Sequence, residues 1–538
     1  MMNRRTFLKR AGILTAAISL SRINQVLSLN PVSIKKEQPN IIVIMLDDMG
    51  YSDIGCFGSE IETPNLDKLA EQGLRFTNFY NTARCCPSRA TLMTGLYSHQ
   101  AGVGYMDSDQ GWPAYQGHLR DDCITLPEVL SSAGYRTIMS GKWHLGTGEG
   151  HKPWERGFDR FYGIPQGGGV YFWPTYLNRT VMLYNKDDGR SPIKTEPDEN
   201  FYSTDAFTDY AVDQTKQAYK DNVPFFMYLA YITPHFPQQA WEKDIQKYLG
   251  KYIAGWDKLR HKQYKRQLEM GIIEDEHALS PSSLPKWDEL TDQQKIKLDR
   301  QMAVYAAQVD NLDQNVGKLL ATLKKLNMEE NTLVIFFSDN GAPMGNLMGY
   351  EKFAGTVFGS RESFVRYARG WSKMSNTPFR WYKERSHEGG IASPFIVRWP
   401  GFIKDKGKLR RQICHIIDIV PTCLDAAGLD HSIVTYKKHT QKLEGVSLLP
   451  FFKDELPQKS RTLFWEHMGN RAVRIGNWKL VSIHKGKWEL YNMHQDRTEL
   501  NDLSKKYPDR AGQMLDAWNA WAKRCGVQPW PIKKKKVN

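Results

Sequence analysis

Three strand-length runs in this chain carry no charged side chain and then run out into polar residues. They are Asn40-Ile41-Ile42-Val43-Ile44-Met45-Leu46 before Asp47-Asp48-Met49-Gly50, Pro224-Phe225-Phe226-Met227-Tyr228-Leu229-Ala230-Tyr231 before Thr233-Pro234-His235, and Thr332-Leu333-Val334-Ile335-Phe336-Phe337 before Ser338-Asp339-Asn340-Gly341. A strand with one face in water alternates polar and apolar positions. These runs do not alternate, so both faces must be covered. That requires a central sheet with helices on both sides. Open α/β sheets of this kind place their ligands at the carboxyl ends of the strands. The polar residues leaving these runs are therefore the first candidates for a functional site.

Between the strands the sequence reads as helix. Pro64 to Gly73 has Thr63 as N-cap, Pro64 at its first position and Gly73 as terminator. Leu126 to Ala133 is a helix closed by Gly134, and Arg136 to Ser140 is a strand leading into Gly141-Lys142-Trp143-His144-Leu145-Gly146. Tyr305 to Leu323 sets Val309, Leu312, Val316, Leu319 and Leu323 at three- and four-residue spacing, which is one amphipathic face. Ile391 to Trp399 is a further strand, preceded by Glu388-Gly389-Gly390. This alternation predicts a doubly wound α/β sandwich. Lys243 to Leu298 is polar and charge-rich and reads as a helical insertion near the site. After Pro450 the pattern changes to short alternating strands at Arg471–Ile475, Lys479–Ile483 and Trp488–Tyr491, then a helix over Ala511–Lys523. The expected division is an export signal and linker over 1–38, a catalytic domain over 39–455, and a C-terminal α+β subdomain with a basic tail over 456–538.

The N-terminus reads as an export signal. Arg4-Arg5-Thr6-Phe7-Leu8-Lys9 is similar to the bacterial twin-arginine motif, and the mildly apolar stretch Ala11 to Leu20 follows it. The expected partner is the twin-arginine translocation machinery, and the expected location is the periplasm. No run of about 18 apolar residues exists, so no membrane-spanning helix is expected. Seven cysteines are scattered without Cys-x-x-Cys spacing, which argues against a zinc or redox pair and against a dense disulfide scaffold. A net charge of +14 favours an anionic substrate. No helix-turn-helix, zinc-finger or RNP pattern is present, so nucleic acid is not an expected partner.

Asp47, Asp48, Asp339 and Asn340 all leave buried strands. Oxygen donors with no His or Cys among them make a hard-cation site, suited to calcium or magnesium and not to zinc. A single Asp after a strand is more often a helix cap or a turn residue. Two such pairs at the ends of apolar strands are harder to explain that way, because each buried carboxylate needs a partner. Lys142 and His144 are separated by one residue, so an extended segment points both the same way. His235 sits between two prolines, and Lys383 precedes His387-Glu388-Gly389-Gly390. Taken singly, the lysines read as surface residues, and the histidines are evenly balanced between a site and a turn.

The run Cys85-Cys86-Pro87-Ser88-Arg89-Ala90-Thr91-Leu92-Met93-Thr94-Gly95 joins these pieces. It matches the C-x-P-S-R-x-x-x-M-T-G signature, and the chain resembles the type I, formylglycine-dependent sulfatases of the alkaline phosphatase superfamily. It is most similar to long-form bacterial arylsulfatases, which share the insertion and the Asn376-Thr377-Pro378-Phe379-Arg380 segment. The resemblance extends from Asn40 to about Asp502. It implies an alkaline-phosphatase-like α/β/α sandwich with a large mixed sheet, plus a small C-terminal α+β domain. It also implies that a formylglycine-generating enzyme oxidises Cys85 to Cα-formylglycine. One Ca2+ per chain, or Mg2+, would be held by Asp47, Asp48, Asp339, Asn340 and the oxygen of residue 85. Arg89 would fix that geometry, and Lys142, His144, His235 and Lys383 would surround the sulfate oxygens.

In the implied reaction the hydrated aldehyde attacks the sulfur of a sulfate monoester while Asp339 takes its proton. His235 or Lys383 then protonates the leaving alcohol. His144 deprotonates the second hydroxyl, and sulfate leaves as the aldehyde re-forms. Serine has no second hydroxyl on that carbon, which is why residue 85 must be oxidisable. The substrate class is an aryl or carbohydrate sulfate ester, including sulfated polysaccharide. The loops Asp107 to Arg120 and Gly163 to Asn178, with the insertion, are expected to select the alcohol. A phosphonate monoester or phosphodiester hydrolase of the same superfamily is the alternative. A glycan-binding protein without catalysis has no use for Cys85 beside four metal ligands. Cys86 occupies a variable position of the signature and sets a second thiol beside the first.

Overall fold

The computed structural model describes residues 38–173, 184–185, 198–352, 355–432, 441–453 and 460–534. The twin-arginine-like signal, most of the linker, part of the Gly163–Asn178 loop and the end of the basic tail lie outside the described residues.

The main sheet has ten strands among the described residues: β1 Asn40–Asp47, β2 Leu74–Tyr80, β3 Arg136–Lys142, β4 Arg160–Ile164, β5 Tyr184–Asn185, β6 Phe225–Pro234, β7 Thr332–Ser338, β8 Ala392–Arg398, β9 Lys408–Arg410 and β10 Cys414–His415. Their order is β9-β2-β8-β7-β1-β6-β3-β4-β5, with β10 also paired to β2. The central strands β7, β1, β6, β3 and β4 run parallel. β8 is antiparallel to both β7 and β2, so the sheet is mixed, as the resemblance implies. β1 is buried at every position. Its alternate residues serve two separate cores. Ile42, Ile44 and Leu46 face one cluster, and Ile41, Val43 and Met45 face the other. Each such side chain contributes about 1.5–3 kcal/mol on burial.

Helices cover both faces: α1 Pro64–Glu71, α2 Cys85–Thr94, α3 Leu126–Ser132, α4 Ser203–Lys220, α5 Trp256–Glu269 and α6 Asp292–Lys325, with α7 Pro508–Cys525 later in the chain. Leu312, Val316 and Leu319 of α6 and Phe207 of α4 fill the first core, and Leu92, Met93, Val129 and Leu130 of α2 and α3 fill the second. α6 is longer than its apolar stripe predicts, at 34 residues. Its start is fixed by a capping box, in which Thr291 Oγ1 accepts from Gln294 N and Gln294 Oε1 accepts from Thr291 N. The first turns are charged and carry no stripe, so they read as part of the insertion. Thr63 does not cap α1. Its hydroxyl accepts from Gly55 N at 2.8 Å and donates to Asp67 at 3.1 Å instead.

A second sheet is antiparallel in chain order: β11 Thr462–His467, β12 Asn470–Ile475, β13 Trp478–Ser482 and β14 Glu489–Asn492. Met514, Trp518 and Trp521 of α7 are buried with it. It belongs to the same compact unit as the main sheet, Pro39–Asn538. No described helix is long and apolar enough to cross a membrane.

Candidate active site

The carboxyl ends of four adjacent parallel strands converge on one cleft of about 400 Å³. Asp47 ends β1 and Lys142 ends β3, while His235 follows β6 and Asp339 and Asn340 follow β7. Asp48, Cys85, Lys142, His144, His235 and Lys383 line the cleft. Asp47, Arg89, Asp339 and Asn340 lie behind it with no exposed surface. All ten residues singled out in the sequence therefore meet at one place. Cys85 is the first residue of α2. A helix N-terminus there favours negative charge on residue 85 and on an anion beside it.

Lys142 and His144 share the cleft, though not through extended spacing. The backbone of His144 is left-handed at φ 61°, as is that of Asp48 at φ 70°. Such backbone costs a non-glycine residue roughly 1–2 kcal/mol, and it clusters at functional sites. The insertion does not reach the site, because no residue between Lys243 and Leu298 lines the cleft. Its helix α5 is tied elsewhere, with Gln267 Nε2 donating to the carbonyls of Phe57 and Thr377. Asp107, Gly167 and Gly168 of the two predicted specificity loops do line it.

The acidic residues are held by a network with spare acceptors. Lys142 Nζ donates to Asp47 Oδ2, and Lys383 Nζ donates to Asp48 Oδ1. Asn340 Nδ2 donates to Asp48 Oδ1 at 2.8 Å. Asp339 Oδ2 accepts from Arg89 at 2.9 Å, and Asp339 Oδ1 accepts from Asp48 N at 3.3 Å. Asp47 Oδ1, Asp48 Oδ2 and Asn340 Oδ1 are buried without a hydrogen-bond partner. Buried oxygens are rarely left so, because each costs about 1–3 kcal/mol. Three such oxygens on the predicted ligands fit a hard divalent cation. Asp47, Asp48 and His235 also offer ligand atoms within 4.8 Å of one another.

Arg89 braces the site from behind. It donates to Lys142 O at 2.9 Å and to the Tyr228 hydroxyl at 3.1 Å, as well as to Asp339. Ser88 Oγ donates to the carbonyl of Asp339, so the signature helix and the end of β7 are bonded directly. Asn376 accepts from Ala342 N at 3.0 Å and donates to Trp381 O at 3.2 Å, joining the loop after β7 to the loop carrying Lys383.

The charges act on one another strongly. Burial pushes the Asp47 carboxyl up, but Lys142, His235 and Arg89 outweigh it and hold it well below the usual range. Burial and Asp47 push the Asp339 carboxyl up against the pull of Arg89. Burial pushes the His235 imidazole down, and Lys383 and Lys142 push the same way. A hydrogen bond from Cys86, with Lys142, Lys383 and His144, holds the Cys85 thiol well below its usual range in spite of burial.

Several residues in or behind the cleft had no individual role assigned from the sequence. Tyr228 lies within an apolar run, and only its pairing with Arg89 marks it. Asp107 Oδ2 lies 3.5 Å from His144 Nε2. Arg84 and Glu384, the chain neighbours of Cys85 and Lys383, form an ion pair in the cleft. The guanidinium of Arg366 lies 3.4 Å from the ring centre of Phe236.

The fold and the cleft define a hydrolase of the alkaline-phosphatase-like class with an anion-binding centre. The sulfatase family model matches residues 39–429, and the model described as N-sulphoglucosamine sulphohydrolase, C-terminal, matches residues 378–515. An arylsulfatase of Klebsiella aerogenes is 35% identical over 440 residues, covering 79% of this chain and 94% of that one. An uncharacterized sulfatase of Schizosaccharomyces pombe is 35% identical over 534 residues, covering 92% and 96%. The crystal structure of Ps i-CgsB in complex with k-i-k-neocarrahexaose is similar with a TM-score of 0.67 at 26% identity, covering 93% of this chain and all of that one. The chain belongs to the sulfatase family, and it is a sulfuric ester hydrolase.

Proposed function

We propose that this sulfatase cleaves sulfate monoesters of carbohydrates, with residue 85 as formylglycine and one calcium or magnesium ion on Asp47, Asp48, Asp339 and Asn340. The observation that carries the reading is the meeting of Cys85, at a helix N-terminus, with Lys142, His144, His235 and Lys383 beside three buried oxygens that accept no hydrogen bond. When present, the cation supplies Lewis-acid stabilisation of charge and the oxidised residue supplies an oxygen nucleophile.

The chain's own residues do the rest. Lys142 and Lys383 offer ammonium groups to the sulfate oxygens, where negative charge shifts during the reaction. Asp339, with its carboxyl pushed up, is the stronger base of the buried pair and suits the proton leaving residue 85. His235 is pushed toward the neutral imidazole, so Lys383 is the better proton donor to the leaving oxygen. Asp107 Oδ2, 3.5 Å from His144 Nε2, can hold the imidazole in place, and His144 is placed to accept a proton from residue 85.

A carbohydrate alcohol is supported by the rest of the cleft. Arg84, Glu384 and Asp107 offer donors and acceptors for hydroxyl groups. The similar structure holding a neocarrahexaose agrees with this. Export through the twin-arginine route to the periplasm goes with this reading, since folded export leaves time for a formylglycine-generating enzyme to act first. The test is a turnover panel of sulfated monosaccharides and oligosaccharides, an aryl sulfate and an aryl phosphonate. Sulfated sugars should give the highest kcat/KM. Preference for the phosphonate would move the chain to the alternative reaction.

A further inference from the structure

Beside the oxygen ligands, the cleft holds a second ligand set of opposite chemistry. Cys85 Sγ, Cys86 Sγ and a ring nitrogen of His144 all lie within 4.8 Å of one another. These residues are 3%, 0% and 5% exposed. Met106 Sδ stands 3.4 Å from Cys86 Sγ and adds a thioether. Neither cysteine is in a disulfide. His144 Nδ1 is buried without a hydrogen-bond partner, so it keeps a free lone pair or an unused proton.

Two thiols, an imidazole and a thioether are soft donors. They select Cu+ and Zn2+, and they bind calcium or magnesium poorly. Around one zinc with Zn–S bonds of 2.3 Å, two sulfurs stand about 3.8 Å apart, within the spread of this cluster. The sulfurs belong to the first two residues of α2, and a helix N-terminus favours thiolates. The hard-cation ligands contribute none of these atoms, so the two sets can be tested apart.

We infer that the chain in which Cys85 is still a thiol binds one thiophilic cation, Cu+ or Zn2+, through Cys85, Cys86 and His144, with Met106 as a weak fourth donor. The step is redox-neutral. Two S–H bonds break, two metal–sulfur bonds form, and two protons leave to solvent. Oxidation of Cys85 removes one of the two sulfurs, so the site exists only before maturation. The cation occupies the sulfur that maturation must oxidise. The binding rests on the thiols alone and stands or falls independently of sulfatase turnover. Only the link to maturation rests on the proposed role of residue 85.

The experiment uses the full chain produced without a formylglycine-generating system, reduced and stripped of metal, with calcium in excess. Zn2+, and separately Cu+ without oxygen, is titrated against a chromophoric chelator. One equivalent per chain should bind. Cys86→Ser should weaken binding at least tenfold, and Asp48→Ala should leave it unchanged. Cd2+ should give a sulfur-to-metal charge-transfer band that Cys86→Ser reduces. If Cys86→Ser does not fold, alkylation of the unmutated chain decides the matter, since Zn2+ should protect both Cys85 and Cys86 as read by peptide mass. Equal binding by Cys86→Ser, loss of binding in Asp48→Ala, or alkylation unaffected by Zn2+ would each overturn the inference.

Discussion

Glu388 and Lys479 meet at 2.8 Å with neither side chain exposed. Glu388 also accepts from the Tyr80 hydroxyl at 2.9 Å and from Arg497 Nε at 3.1 Å. Lys479 also pairs with Glu499 at 2.8 Å, and the backbone N of Glu388 donates to Glu499 at 3.0 Å. The pair joins the second sheet to the segment between Lys383 and β8. The C-terminal strands thus fix the loop that presents Lys383 to the cleft.

Removing one partner of a buried pair leaves the other charge uncompensated. Lys479→Met should cost about 3–5 kcal/mol in urea unfolding. A loss below about 1 kcal/mol would show that the pair is not what ties the second sheet to the site.

The same network sets an acid limit. Burial pushes the Glu388 carboxyl up, but Lys479, Arg497 and Arg474 outweigh it and hold it down to about 2 from 4.5. Between those values the unfolded chain binds a proton that the folded chain does not. The contribution is therefore full above pH 4.5 and fades as the pH falls toward 2. Glu388→Gln should flatten the acid side of a stability-against-pH curve in this window. An unchanged slope would remove Glu388 from the acid response.

The metal reading predicts about one calcium or magnesium per chain by elemental analysis. Chelation should lower Tm as well as abolish turnover, because the ion binds only the folded state. Asp48→Ala should remove the ion. Stoichiometric zinc with no calcium or magnesium in matured enzyme would contradict the ligand assignment.

Lys383 and His235 separate by leaving group. If Lys383 donates the proton, Lys383→Ala should slow a sugar sulfate by about 10²–10⁴-fold and a nitrophenyl sulfate much less, since a good leaving group needs no acid. His235→Ala should slow both to a similar degree. The reverse pattern would make His235 the acid.

Arg84 and Glu384 give a test of the carbohydrate reading. Glu384→Gln should lower kcat/KM for a sulfated sugar more than for an aryl sulfate, by a ratio of about tenfold for one charged hydrogen bond lost. An equal loss on both substrates would mean that the pair shapes the cleft and does not read the alcohol.

The apolar runs made the central strands legible, because covered strands must be apolar on both faces. Their polar ends made the ligand pairs legible for the same reason. β2 was less so, since Arg75 and Asn78 interrupt its apolar residues and it follows a helix closely. β11 was hidden similarly by its mixed residues, Thr462 to His467. The charged start of α6 concealed its true length. At the site, sequence named the groups that carry charge and Arg89 behind them, but not the other partners that orient them. Tyr228 and Asp107 acquire meaning only when distant segments meet, and no local pattern announces that. The insertion is helical as expected, but its charged sequence carries no sign of what it packs on: its helix bonds to the carbonyl of Thr377, and none of its residues lines the cleft.

The most direct measurement is sulfate release by protein matured with a formylglycine-generating system, followed by peptide mass spectrometry of residue 85. The account predicts an aldehyde at Cys85 with Cys86 unmodified, release of sulfate and alcohol in equal amounts, and no turnover by Cys85→Ala. Active enzyme carrying only an intact thiol at Cys85, or full turnover by Cys85→Ala, would contradict it.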